Sequence, residues 1–436
     1  MTPPIITIVG GGPAGMLAAI SARQHNPNAT ITLIEKNDHL GKKMSISGGG
    51  RCNITNTCDV PTLITKIQTN PRFLYSALNS FDANRVLAML HDAELSTKVE
   101  DNGRVFPTSD KATDVIAAFE RQLDTITICY NTTVSAVEQT PTGFALSTTR
   151  NTNGRTVTET IETQKLIIAT GGLSASQTGS TGDGYTFAER LGLPLTERFD
   201  PAVVPLLTAE AWSKEQLQGL SLRGVGLVTK VGKKVVLSDR GDMLFAHFGV
   251  TGPAVLRASA HIAGCLHEQD TQCPTSVGKH AERPKLIIDL FPDNTAEELD
   301  KDLLALIGEK PNRRVKNTLE HLLPPKLLPV AMQLCKLNPE LVGRDMTKDQ
   351  RRALLTLLKH LELTVIGDMG FNHAIATKGG VVVKAINPAT MEAKAIPGLY
   401  IVGEVLDVNA YTGGYNFQIA YATGFAAGKH AAMEGV

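Results

Sequence analysis

A chain of 436 residues exceeds what one hydrophobic core usually organises, which favours two or three domains. With 42% hydrophobic and 20% charged residues it has an ordinary globular composition, and 43 basic side chains balance 43 acidic ones, so no global charge argues for nucleic acid or an anionic membrane. No apolar run approaches the ~20 residues of a membrane helix; the opening residues lack a leader's charged and apolar regions, and the six scattered cysteines form no CxxC pair, so a cytoplasmic chain with free thiols and no metal site is expected.

The first predicted strand covers residues 5–9, the glycine-rich turn GGGPAG follows at 10–15, and residues 16–24 form a helix of small and apolar side chains. In that setting Gly10, Gly12 and Gly15 fit G-x-G-x-x-G: one glycine for the tight turn, one for close approach of backbone to a pyrophosphate, one for helix-on-strand packing. A second strand over 31–34 ends in Glu35, 20 residues beyond Gly15. A carboxylate there accepts from ribose hydroxyls and repels a 2′-phosphate. This motif alone does not separate NAD from FAD.

SISGGGRCNITN, at 45–56, favours FAD. Three bare glycines let main chain lie against a large planar ring, and Arg51 can serve the pyrophosphate or the negative charge of a reduced flavin. The strand and turn at 165–172, then GSTGDGY at 179–185 opening a helix through 191, repeat the strand-to-glycine pattern, with Asp183 a candidate N-cap. Strand, acid and glycines recur at 398–418 before a final helix over 419–432. The C-terminal segment therefore returns to the N-terminal sheet, and what lies between is inserted.

Residues 219–238 and 284–291 read as strands, and the apolar spacing turns helical from 296 to 361. The expected organisation is a first part of the nucleotide domain at 1–195, an insert at 196–361 (barrel-like 196–292, helical 293–361, with a loop at 266–283), and a C-terminal part at 362–436.

GGGPAG, SGGGRCNITN, GRVFPTSDKA at 103–112, ATGG, GSTGDGY, LFAHFGVTGPAVL at 244–256, TKGGV at 377–381 and GEVLDVNAYTGGYNFQ at 403–418 together resemble the BaiN/YhiN-type FAD-dependent oxidoreductases, also called aminoacetone oxidase-like flavoproteins. The resemblance runs in order along nearly the whole chain. It implies an α/β fold: a glutathione-reductase-like FAD/NAD(P)-binding Rossmann domain with an inserted β-barrel plus helical domain. It places Gly10, Gly12, Pro13, Ala14 and Gly15 on the pyrophosphate, Glu35 and Lys36 at the adenine ribose, and Lys43, Ser47, Gly49, Gly50, Arg51, Cys52 and Asn53 along the pyrophosphate and flavin. It adds Val134, Ala169, Thr170, Gly171 and Asp183 as cofactor contacts, puts Gly403, Glu404 and Asp407 on the ribityl and pyrophosphate, and sets Gly414, Tyr415 and Asn416 at the flavin's pyrimidine edge. This chain departs from the pattern at 175–177, which lacks a proline, at Asn409-Ala410 in place of Asp-Gly, and at 417–421, which lacks a tryptophan.

A flavin carries the redox step itself, and protein groups orient it and move protons. His247 is the candidate proton donor by motif context, against a purely structural histidine, and Tyr411 is a second candidate, against packing on the ring. Cys52 and Cys58 are one residue too far apart for a disulfide-reductase pair, so Cys52 is expected to be a buried thiol beside FAD. Arg104 and Lys111 read as anion contacts or as solvated hairpin charges. No second G-x-G-x-x-G marks a nicotinamide domain, so NAD(P)H would donate transiently or oxygen would act as acceptor. The expected function is an FAD oxidoreductase acting on a small organic molecule, with no nucleic-acid or membrane partner and an open oligomeric state. A flavin-dependent RNA-modifying protein and a flavin sensor without turnover are the alternatives.

Overall fold

The computed structural model describes residues 3–152, 155–266 and 282–433. Ile5–Val9 is short, β-branched and flanked by turn residues, and it forms the middle strand of a five-stranded parallel sheet. The order across that sheet is Leu399–Ile401, Lys165–Ile168, Ile5–Val9, Thr30–Ile34, Thr127–Cys129. Parallel strands are covered on both faces, which explains why these segments are continuous apolar runs: Ile6, Ile8, Leu33, Leu166, Ile167 and Ile168 have no exposed surface. The chain runs outward from the middle strand through Thr30–Ile34 to Thr127–Cys129, then comes back to the middle strand's other side with Lys165–Ile168 and Leu399–Ile401. The order therefore reverses there, and in such sheets the crevice beyond the carboxyl ends at that point takes the ligand.

Pro13–His25 follows the first strand with Pro13 at its start, where the missing N–H costs nothing. Every residue from Ala14 to Ala22 is buried. A helix apolar on all sides must be covered on all sides. The cover is the final helix, Tyr415–Met433, which approaches through glycine: a Cβ on Gly424 would lie 2.1 Å from the Ala14 carbonyl oxygen, and one on Gly428 would lie 2.1 Å from that of Ala18. Ser21 Oγ donates to the Phe425 carbonyl at 2.8 Å across the same contact. Two three-stranded antiparallel sheets also belong to this unit. One is Thr132–Thr140, Gly143–Thr152 and Arg155–Thr163; the other joins Thr55–Asn56, Arg104–Pro107 and Thr97–Glu100.

The second unit is Val203–Gly370, while the first runs to Ala202 and resumes at Phe371. Its six antiparallel strands close a barrel in the order Leu206–Thr208, Gly249–Thr251, Lys234–Ala246, Ser221–Val231, Lys285–Asp289, Leu361–Asp368. Helices Ala296–Glu309, Val315–Leu319, Leu327–Leu334 and Lys348–Lys359 share its core, and Thr295 and Thr347 begin the first and last of these with reciprocal capping boxes.

Both expected borders move. Asp200–Ala202 pairs with Ala376–Lys378 and so stays with the first unit, and Leu361–Asp368 pairs with Lys285–Asp289 and Leu206–Thr208, so it closes the barrel instead of returning to the nucleotide-binding sheet. Most of the loop expected at 266–283 lies outside the described residues.

Candidate cofactor site

Four turns meet at the carboxyl edge of the parallel sheet. The first is 10–15. Gly10 has φ 108°, and a Cβ there would lie 2.5 Å from the Ala169 carbonyl oxygen. Gly12 precedes the first helix with no side-chain cap, and a Cβ on it would meet nothing within 4 Å. The helix's positive end thus faces open space, the arrangement an anion needs.

Glu35 ends the next strand and is buried. Its Oε2 accepts from Gly11 N at 2.7 Å and its Oε1 from Asn37 N and Nδ2 at 2.8 and 2.7 Å. These bonds orient the carboxylate while leaving Oε2 a further lone pair for a ribose hydroxyl. Beside it Lys36 Nζ binds Thr181 Oγ1 at 2.6 Å and Asp183 Oδ2 at 2.7 Å. Asp183 is therefore not the N-cap that its position suggested: Gly182, at φ 84°, is the cap, and Asp183 is the first helical residue with its carboxylate on Lys36. Val134 is buried in the strand that follows the sheet's edge.

The third and fourth turns are 169–174 and 403–407. A Cβ on Gly171 would lie 2.6 Å from Ser180 Oγ, and Thr170 Oγ1 is buried without a partner. Lys43 Nζ reaches across to Glu404 Oε2 at 2.8 Å; Glu404 Oε1 accepts from Thr377 N at 2.7 Å and from Ser174 Oγ. Burial pushes the Glu404 carboxyl up, but the Lys43 ammonium and these donors outweigh it and hold it below the usual glutamate range. Tyr185 donates to the Glu404 carbonyl at 3.0 Å. Asp407 accepts from Asn70 Nδ2 at 3.0 Å and Gly379 N at 3.2 Å, yet burial still raises its carboxyl above the ordinary range.

Between these turns lies the loop 47–52. Gly48, Gly49 and Gly50 have φ of 58°, 71° and 85°, and Cys52 follows with 63°. Only glycine adopts that region without penalty. The three glycines are exposed, and a Cβ on Gly49 would meet nothing within 4 Å. At Gly49 and Gly50 they present bare backbone to open space. Ser47 Oγ donates to the Met44 carbonyl at 2.9 Å. Cys52 is fully buried, and burial pushes its thiol up to about 12. Asn53, with its amide oriented to suit its neighbours, accepts from Gly414 N at 3.0 Å and donates to the Thr55 carbonyl at 3.0 Å.

A profile of the HI0933-like protein Rossmann domain matches residues 4–430. The chain belongs to the HI0933-like family. Two curated relatives cover nearly its full length: the 3-dehydro-bile acid delta(4,6)-reductase of Clostridium scindens, 29% identical over 98% of each chain, and the ribosomal RNA dihydrouridine synthase of Escherichia coli, 31% identical over 96% of each. Among solved structures, E. coli quinol fumarate reductase, in a form with a mutated FrdA chain, aligns at TM-score 0.50 and 17% identity over 98% of this chain and 70% of that one. The 3-ketosteroid-delta4-(5alpha)-dehydrogenase of Rhodococcus jostii RHA1 aligns at 0.50 and 14% over 98% and 96%. This HI0933-like protein is an FAD-dependent oxidoreductase.

In this HI0933-like protein three of the expected cofactor contacts have partners within the chain. Arg51 Nη1 binds Glu100 Oε1 at 2.8 Å and Asp110 Oδ1 at 3.3 Å, and its guanidinium lies 4.0 Å above the Phe106 ring. Asn416 uses its amide to close its own loop, accepting from Ala410 N and donating to the Ala410 carbonyl, both at 2.9 Å. Glu404 is engaged as described. Tyr415 is buried against Gly413, while Gly414 (φ 91°) packs on Thr55, where a Cβ would lie 2.4 Å from backbone. Tyr411 N donates to the Lys66 carbonyl at 3.1 Å. His247 belongs to the second unit, exposed in the turn between Lys234–Ala246 and Gly249–Thr251, its ring edge-on to Phe248. Arg104 lies on the hairpin with Glu100, 4.0 Å away.

Ser174, Tyr185, Thr377, Asn70 and Glu100 carry the geometry without having been singled out. Thr377 stood inside TKGGV and Ser174 just after ATGG; Asn70 and Glu100 had no motif around them. Among the described residues, no cluster of three or more His, Cys, Asp or Glu could hold a metal, and no helix is long and apolar enough to cross a membrane.

Proposed function

We propose that this protein reduces a carbon–carbon double bond conjugated to a carbonyl, in a small organic substrate. The observation that carries this reading is the open strip of glycine backbone at 48–50, set at the carboxyl edge of a Rossmann sheet: it suits a flat ring on one side and a flat acceptor stacked over it. The activities for which the two relatives are named agree with that class. A 3-oxo-delta(4,6) steroid and a uracil ring both carry a C=C polarised by a carbonyl, and both relatives are named for saturating one.

Bound FAD supplies hydride chemistry to the electron-poor carbon, and a proton completes the adjacent one. The chain's part is to bind and orient. In this reading Gly12 and the first helix take the pyrophosphate with Pro13, Ala14 and Gly15, Glu35 the adenine ribose with Lys36, Asp183 and Val134 around it, and Lys43, Glu404 and Asp407 flank the ribityl chain. Ser47, Gly49, Gly50, Asn53, Gly414 and Tyr415 border the flavin, with Ala169, Thr170, Gly171 and Gly403 forming the adjoining edge. Tyr411 and His247 are our candidates for proton donor. The second unit is built as an antiparallel barrel with helices, so NAD(P)H would reach the flavin transiently, without a parallel-sheet domain of its own.

A second reading, reduction of uridine within ribosomal RNA, is favoured by the relative at 31% identity. The balanced charge of the chain speaks for the small substrate. The test is anaerobic: protein reduced with NADPH or NADH is mixed with a 3-oxo-delta(4) steroid or with unmodified ribosomal RNA, and flavin reoxidation is followed by absorbance. Reoxidation by the steroid alone supports the proposal. Reoxidation by RNA alone replaces it with the second reading, and reoxidation by neither sinks both.

A further inference from the structure

Arg51 directly follows the three glycines, where a cation would be expected to serve the cofactor's charge. The structure gives it other work. Its guanidinium binds Glu100 and Asp110, its Nε points to the Gly48 carbonyl at 3.4 Å, and its face lies on Phe106. Phe106 is 1% exposed, and its Cε1 lies 2.9 Å from where a Cβ on Gly48 would stand. The arginine thus ties the loop, from outside, to the strand Thr97–Glu100 and to the turn carrying Asp110. That tie acts on a segment with four left-handed residues in five, one of them the non-glycine Cys52. Such a backbone persists only when its surroundings over-determine it.

We infer that Arg51 is a positioning residue and that Glu100 and Asp110, remote from every glycine motif, hold the flavin-binding strip in shape through it. This rests on the FAD reading above. The two acids and the guanidinium form one unit with Lys98, whose Nζ binds Asp110 Oδ2 at 2.6 Å. The inference separates sharply from the alternative that Arg51 is a ligand of cofactor charge. Under that alternative, removing the acids would release the cation toward the cofactor and tighten binding. Under ours, it would loosen binding.

The test uses full-length apoprotein reconstituted with FAD, reading the Kd by quenching of flavin fluorescence, the bound-flavin visible spectrum, and the melting temperature of the apoprotein. Arg51→Gln and the double variant Glu100→Gln, Asp110→Asn should each weaken FAD by about 10-fold, the scale of an exposed ion-pair network with a stacked guanidinium. Both should perturb the spectrum alike, and the triple variant should be no worse than either, the non-additivity of a single unit. Arg51→Lys, which keeps charge but not the fork or the stack, should recover only part. Unchanged apoprotein melting accompanies this outcome. FAD affinity equal to or above the parent in the acid-free variant overturns the inference, as does equal loss of apoprotein stability in both variants. Parent protein that binds no FAD sinks the cofactor reading instead.

Discussion

Gly15 packs so closely on Gly10 that a methyl group on it would lie 1.9 Å from the Gly10 carbonyl oxygen. Gly12, two peptides past Gly10, has φ −79° and open space where its Cβ would be. The two glycines therefore serve different ends. Gly15→Ala should destabilise the fold by about 3 kcal/mol, an overpacking penalty against backbone, read as a shifted urea midpoint. Gly12→Ala should leave the apoprotein's midpoint in place while weakening FAD. Equal effects of both substitutions on stability would show that the turn is not shaped as described.

Lys43 and Glu404 make a test through pH. The folded pKa of Glu404 lies below its unfolded value, so its contribution to stability is complete above the ordinary glutamate range, ~4.3, and drains away as pH falls through the folded value. Glu404→Gln removes that acid limb and leaves Lys43 uncompensated. A loss of about 2 kcal/mol is expected, less than for a fully buried pair because each side chain keeps about a fifth of its surface exposed. Urea unfolding at neutral and acidic pH should show the two proteins converging as pH drops; parallel curves would mean that the pair does not couple.

Cys52 should behave as an inert thiol. Burial raises its pKa to about 12, so at pH 8 almost none is thiolate, and nucleophilic reagents need both the thiolate and access. Under native conditions an aromatic disulfide reagent should label Cys52 only as fast as the protein opens, and in denaturant at once. The elevated folded value also sets a sign: this term favours the folded chain below the unfolded thiol pKa and fades as pH climbs toward the folded one. Fast native labelling at Cys52, located by mass spectrometry, would contradict the burial.

The seam between the first and last helices gives a packing prediction. Gly428→Leu forces a side chain into the backbone of Ala18, already 2.1 Å from the position of a Cβ. The helices must separate, with a loss of about 3 kcal/mol or more and weaker FAD binding, since Ala14 on the same helix belongs to the 10–15 turn proposed above to take the pyrophosphate. Gly308→Ala, near the end of Ala296–Glu309 with open space around it, is the control and should stabilise slightly.

How far could these features be read beforehand? Four strands of the five-stranded sheet were legible as short apolar runs, because parallel strands are buried on both faces; the fifth, Thr127–Cys129, is only 3 residues long. The borders of the insert were not, since Leu361–Asp368 alternates like any half-buried strand and nothing local says which sheet it joins. Side-chain partners fared similarly. Arg51 next to glycines looks like an anion ligand until the hairpin at 97–107 offers Glu100 and the turn after it offers Asp110. Asn416 looks like a ring contact until its own loop claims the amide. For Arg51 the partners lie 49 and 59 residues away, for Asn416 one lies six away, and no spacing rule encodes either.

The sheet is finished late. Its outer strand, Leu399–Ile401, and the final helix that packs on Ala14 and Ala18 are synthesised after the whole of the second unit. A growing chain can therefore assemble the barrel core while its nucleotide-binding half still lacks a wall. A nick or frameshift in the final helix ahead of Gly424 would then yield polypeptide with an intact insert and colourless protein.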